Sequence, residues 1–117
     1  MQPVTVLVME ESAAESGLVR AALSRCLEVR VVESPDERGE PIALAIAGLA
    51  ALKERPDELR GLEARGIPVV GIATGLSSSA KERALAAGVR EIHDRPGEWR
   101  PYAELIESVV SRFIRTG

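Results

Sequence analysis

The chain has 117 residues, room for one domain and one core, and its 28% charged and 45% hydrophobic residues are ordinary for a globular protein. A net charge of −3 without any block of Lys/Arg argues against a nucleic-acid surface, while a single cysteine, Cys26, with a single histidine builds neither a disulfide nor a standard zinc site. No apolar segment approaches the ~20 residues of a membrane span and no basic region precedes the first apolar run, so the expected setting is a reducing cytoplasm without membrane contact.

Val4-Thr5-Val6-Leu7-Val8-Met9 is a β-branched apolar run with almost no alternation, which predicts a strand buried on both faces and central in a parallel sheet. It ends on the adjacent carboxylates Glu10 and Glu11, at the edge where open α/β sheets build their sites. Ser12-Ala13-Ala14-Glu15 follows with capping-box spacing, the Ser accepting from the helix and the Glu reaching back. The helix it opens runs from residue 13 to about 25, with apolar residues on two adjacent lines; Cys26, late on that face, reads as a small buried hydrophobe.

Residues 28–33 alternate at their start, as an edge strand does. The polar, proline-bounded connector 34–41 is short for a parallel crossover, so at most one helical turn is expected there. Residues 42–47 suit a strand or a helix running on to Arg55; the bracketing Pro41 and Gly48 favour a buried strand. Residues 49–55 read as a loop, and Pro56-Asp57-Glu58 opens a helix that Gly66 stops. A strand over 67–73 follows, then a loop, then a second capping box, Ser79-Ala80-Lys81-Glu82, whose helix ends at Gly88. Residues 89–94 form a last short strand. From Pro101 to about residue 115, Tyr102, Leu105, Ile106, Val109, Val110, Phe113 and Ile114 recur at three and four, the clearest amphipathic helix in the chain. The sum is a doubly wound, five-stranded parallel sheet in an α/β sandwich, one domain over 1–117.

This pattern resembles the receiver domain of bacterial response regulators over essentially the whole chain. Four features carry the likeness: the strand ending in Glu10 and Glu11, the Ile67-Pro68-Val69-Val70 lead-in to the fourth strand, the Ala86-Ala87-Gly88-Val89 helix-to-strand turn, and the basic residue before proline, Arg95-Pro96. The resemblance implies strand order 2-1-3-4-5 and a candidate cis peptide at Arg95–Pro96, while the short connector 34–41 leaves the second helix short or missing. A phosphorylatable receiver uses a nucleophilic Asp on the third strand, an acidic pair holding Mg²⁺, and a hydroxyl and a Lys on the phosphoryl oxygens. By that resemblance the nucleophile's place falls on Ala47, the hydroxyl's on Ala73 with Thr74 one residue on, the Lys on Arg95, and the switching aromatic on Ile92. Residues 41–52 contain no carboxylate to substitute, and two glutamates without that ligand predict poor Mg²⁺ affinity.

The sequence therefore predicts a receiver-like signalling module without its chemistry, a pseudo-receiver that is not an enzyme and needs no cofactor. It would act through a protein partner or a neighbouring output domain, including self-pairing through the last two helices and the fifth strand, with Ile92, Trp99 and Tyr102 as interface candidates. Its end at Thr116-Gly117, just after the last helix, suits either a domain of a larger protein or a complete one. The alternative is a small-ligand or anion site at the carboxyl end of the sheet, with Arg95, Thr74 and Ser77-Ser78-Ser79 as donors. In the simplest reading, Glu10 and Glu11 are solvated, one of them pairing Arg95, and His93 is an ordinary strand residue. No nucleophile–base pair or glycine-rich phosphate loop speaks for an enzyme.

Overall fold

Five short apolar runs assemble into one parallel sheet in the order β2-β1-β3-β4-β5. The computed structural model describes residues 4–10, 12–26, 29–34 and 41–114. The strands are β1 (Val4–Met9), β2 (Val29–Val32), β3 (Ile42–Ala47), β4 (Val69–Ala73) and β5 (Glu91–Asp94). The helices are α1 (Ala13–Leu23), α2 (Leu49–Glu54), α3 (Pro56–Ala64), α4 (Ser78–Ala86) and α5 (Trp99–Ile114). Residues 42–47 are thus a strand, placed between β1 and β4, with Met9 opposite Ala47 and Ala47 opposite Gly71. The connector 35–40, and with it the expectation of a short or missing second helix, lies outside the described residues.

The period-two alternation of strand side chains divides the core into two layers. Val6, Val8, Leu44, Ile46, Val70 and Ile72 meet the inner stripes of α1 and α5, including Val19, Leu23, Ile106 and Val109. Leu7, Met9, Ala45, Ala47 and Val69 meet α2, α3 and α4 through Ala51, Leu52, Leu59, Leu62, Ala80 and Ala84. With few aromatics available, small and branched residues fill both layers.

Four expectations are corrected. Residues 49–54 form a helix rather than a loop; Gly48 offers no capping side chain and no acid stands in the first turn, so local signals are weak. Burial stabilises it instead: Leu52 is 2% exposed, and its methyl carbons lie 2.9 Å from where a Cβ on Gly71 would sit, so the glycine makes room for the leucine. The helix breaks at Arg55 (φ −125, ψ 49), because the following Pro56 disfavours helical geometry in the residue before it. The cap of α4 is Ser77, not Ser79: its Oγ accepts from the Ala80 N–H at 3.2 Å, and the buried Leu76 just before it anchors the turn. The α5 helix begins at Trp99, ahead of Pro101, a position in the first turn where proline is tolerated. Finally, the Arg95–Pro96 peptide is trans, since no described peptide bond is cis. Gly88, at φ 109, does end the α4 turn in the left-handed region that glycine favours.

Candidate functional site

The carboxyl ends of β1, β3 and β4 and the start of α1 converge on an open pocket of about 360 Å³ lined by Glu10, Glu15, Leu49, Ala73, Thr74 and Arg95, with Ile72 behind them. Glu10 follows β1 directly, and Gly48 occupies the matching place after β3, its N–H donating to the Met9 carbonyl at 3.0 Å. That register puts the Gly48 Cα beneath the Glu10 side chain. A Cβ built on Gly48 would lie 2.2 Å from Glu10 Cδ, Oε1 and Oε2, so the carboxylate fills the space that any side chain at 48 would need.

Burial pushes the Glu10 carboxyl up to about 7, helped by the negative charge of Glu15 and opposed by Arg95. Glu10 is therefore not simply solvated, and it is not the partner of Arg95. That partner is Glu15, whose Oε2 lies 2.8 Å from Arg95 Nε. The buried Nε–H makes no hydrogen bond, so the contact is an ion pair off the N–H direction. The pairing also explains why the first capping box is only half made. Ser12 Oγ accepts from the Glu15 N–H at 3.4 Å, but the Glu15 carboxylate is turned to Arg95. The guanidinium carbon of Arg95 sits 5.3 Å from the centroid of the Tyr102 ring, a cation–π contact. Burial, the larger cause, and the two glutamates push the Tyr102 hydroxyl up to about 12, against the effect of Arg95.

Sequence reasoning brought Glu10, Ala73, Thr74 and Arg95 to one place. Glu11 lies outside the described residues. Ala47 does not reach the pocket: it is wholly buried and belongs to the core layer beneath α2. The residues missed are Glu15, read only as a cap, Gly48, read only as the end of a strand, and Leu49, which enters the pocket from the unexpected α2. The candidate interface residues divide. Trp99 is 43% exposed and 6.2 Å from the Tyr102 ring, whereas Tyr102 is 3% exposed and part of the core. Ile92 is half-buried against the α4 side of the sheet.

Away from the pocket, β5 and α5 are tied by a charge cluster that no local pattern announces. Arg112 bonds both oxygens of Glu91, with Nη2–Oε1 at 2.9 Å, and His93 Nε2 lies 2.7 Å from the same Oε1. The hydrogen bonds from Arg112, chiefly, hold the Glu91 carboxyl down to about 2. Cys26 is half-buried against the α1–α5 layer, and burial with Glu107 nearby pushes its thiol up, which keeps it protonated and unreactive.

No family model matches the sequence, and no curated protein matches it either. The fold, in contrast, is similar to many solved structures. The phosphorylated cyanobacterial phytochrome response regulator RcpA superposes with a TM-score of 0.78 at 15% identity, over 98% of this chain and 96% of that one. The manganese-bound form of response regulator Rcp1 gives 0.75 at 17% identity, over 98% and 97%. A response regulator from Thermotoga maritima gives 0.72 at 18%, over 95% and 99%. The architecture is thus that of CheY-like receivers: a five-stranded parallel sheet in the order 2-1-3-4-5, flanked by helices.

Proposed function

We propose that this chain is a non-phosphorylatable receiver-like signalling domain, a pseudo-receiver that works through protein contact and not through phosphoryl transfer. One observation carries the reading. At the carboxyl end of β3 the residue beside Glu10 is Gly48, and the carboxylate of Glu10 fills the space over it. A phosphoryl acceptor at that point needs a nucleophilic oxygen. Neither Gly48 nor the buried Ala47 has one, and we take Gly48 as the place where the acceptor is lacking. Arg95, which lines the pocket, is paired with Glu15, and that carboxylate offsets the charge it could present to an incoming phosphate.

The donor set does not fit Mg²⁺. Among the described residues no three His, Cys, Asp or Glu side chains are placed to share a cation. The one described carboxylate of the expected pair is partly protonated at neutral pH, which weakens it further as a hard-cation ligand. An anion site is disfavoured by the same groups, because two carboxylates line the pocket with Arg95.

Contact with another protein, or with an output domain, is the remaining use of such a fold, and the surface offers anchors for it. Leu85 on α4 is 51% exposed and Trp99 at the start of α5 is 43% exposed, on the helices that flank β5. No described helix is long and apolar enough to cross a membrane. Incubation with acetyl phosphate, or with beryllofluoride and Mg²⁺, should leave the intact mass and the amide spectrum unchanged. A stoichiometric adduct would overturn the proposal. Light scattering of the purified chain and of Trp99→Ala then tests self-pairing as one form of contact.

A further inference from the structure

The acidic pocket and the exposed indole of Trp99 share one residue. Arg95 lines the pocket with Glu10, Glu15 and Thr74, and it also lines a hollow of about 90 Å³ with Leu18, Pro96, Trp99 and Tyr102. Its N–H donates to the Ala73 carbonyl at 3.1 Å, which fixes the backbone at the end of β4 and leaves the side chain as the part free to move. That side chain is held imperfectly. Its Nε lies 2.8 Å from Glu15 Oε2, yet the buried Nε–H makes no hydrogen bond, and an unmade bond at a buried charged donor favours a better-placed acceptor. The Glu10 carboxyl lines the same pocket and is engaged by no hydrogen bond or ion pair among the described residues. The charged groups that face it there are Glu15 from α1 and Arg95, with the Tyr102 phenol of α5 behind them. The ends of β3 and β4 and the start of α2 bring only Gly48, Ala73, Thr74 and Leu49. On its other side Glu10 shares a hollow with Ser16, Arg20 and Glu33, where Arg20 and Glu33 are bonded to each other at 2.6 Å.

We propose that Arg95 is a switch between two carboxylates, paired with Glu15 while Glu10 is protonated and drawn to Glu10 once it ionises, and that this exchange moves the Trp99 indole through the Tyr102 ring. The structure shows the first of the two states. Tyr102 carries the change outward, because the Arg95 guanidinium carbon lies 5.3 Å from its ring centroid and the Trp99 ring lies 6.2 Å from it, tilted by 44°. Ionisation of Glu10 sends one proton to water and presents a second acceptor to the unmade Nε–H bond. As Arg95 turns, the Tyr102 ring loses its cation and the indole beside it settles anew, so the surface at the start of α5 differs on the two sides of the transition. Burial sets that transition at about 7, with Glu15 raising it and Arg95 lowering it. The use of this surface in protein contact rests on the reading above; the coupling within the chain does not.

Trp99 is the only tryptophan, so indole emission of the whole chain reports this position alone. Between about pH 5.5 and 8.5 the emission should change with a midpoint near 7, and by NMR the Trp99 indole N–H and the Glu10 carboxyl carbon should share that midpoint. Glu10→Gln should hold Trp99 at its low-pH signal throughout. Glu15→Gln removes both a neighbouring negative charge and the rival for Arg95, and should move the midpoint to lower pH. Arg95→Gln should leave Glu10 titrating, at higher pH, while Trp99 falls silent. His93→Gln, at the chain's one histidine, should leave the transition in place. The natural chain alone decides if a variant fails to fold: no Trp99 transition in this range, or different midpoints at Glu10 and Trp99, would overturn the proposal. So would a transition that survives Glu10→Gln or Arg95→Gln, or one that disappears in His93→Gln. An adduct with acetyl phosphate would overturn the pseudo-receiver reading and leave this coupling standing, so the two failures are told apart.

Discussion

Glu10→Gln should stabilise the protein at alkaline pH and remove a pH dependence that the natural chain carries near neutrality. A carboxyl moved from its ordinary 4.5 to about 7 is more easily protonated in the folded state than in the unfolded one. Its favourable contribution is therefore fully present below about pH 4.5 and is lost as pH rises through about 7. At about 1.4 kcal/mol per pH decade, the displacement corresponds to about 3 kcal/mol for a group sealed from water. The Glu10 carboxylate is only half-buried, and solvent screening reduces this to about 1 to 2 kcal/mol. For a chain of this size that is about 4 to 10 °C in melting temperature. Glutamine keeps the size and stays neutral, so the natural chain should melt that much below Glu10→Gln at about pH 8.5 and close to it at about pH 5. Calorimetric melts of both proteins across this range give the answer, since groups common to the two cancel in the difference. Parallel curves for the two proteins would refute the assignment of a desolvated carboxyl over Gly48.

Gly48→Ala forces a Cβ into the space of the Glu10 carboxylate; the side chain should swing out to solvent, and a carboxyl carbon NMR titration should find it back near the ordinary 4.5. Leu52→Ala empties the space over Gly71 and should cost about 2 to 4 kcal/mol in urea unfolding. If it costs nothing, α2 is not held by its burial. Arg112→Gln removes the hydrogen bonds that keep Glu91 at about 2. A depressed carboxyl contributes stability that is present above about 4.5 and lost as pH falls toward 2, so the variant should be less sensitive to acid in that interval and its Glu91 should titrate closer to 4.5. Circular dichroism at decreasing pH, with the natural chain alongside, measures the difference.

How much of this the sequence carries depends on whether a feature is written locally. The strands at 4–9 and 69–73 are long apolar runs that can only be buried on two faces, and α5 repeats its apolar stripe over four turns; both are legible because burial periodicity is itself the signal. The α2 helix is not legible, because it is six residues long, has no cap side chain and draws its stability from Leu52 meeting Gly71, a contact 19 positions distant. Ser77 and Ser79 both offer a hydroxyl before a helix, and what chooses Ser77 is the burial of Leu76, a tertiary fact. At the candidate site the residue types Glu10, Thr74 and Arg95 could be placed at one sheet edge from topology alone. Their pairings could not, since Glu10 and Glu15 both line the pocket with Arg95 and the approach of α1 is what brings Glu15 to it.

Gly48 matters more than its neighbours for the same reason. An alanine at 47 says only that the strand interior is small, and the core would accept it whatever the pocket does. A glycine at 48, directly opposite Glu10 in the β1–β3 register, has a consequence for chemistry, because it lets a longer acidic side chain lie down across the strand end. Glutamate, one methylene longer than aspartate, has the reach for this, and the same folding-over desolvates the carboxyl and raises its proton affinity. The extra methylene at 10, the absent side chain at 48 and the Arg95–Glu15 pair then act together. Introducing a carboxylate, as in Gly48→Asp, would place it against Glu10 while Arg95 is engaged by Glu15, and like charges at that distance oppose ionisation. Gly48→Asp alone should therefore remain unmodified by acetyl phosphate and Mg²⁺, and recovery of an adduct by that single change would mean that Glu10 yields its place far more readily than its burial implies.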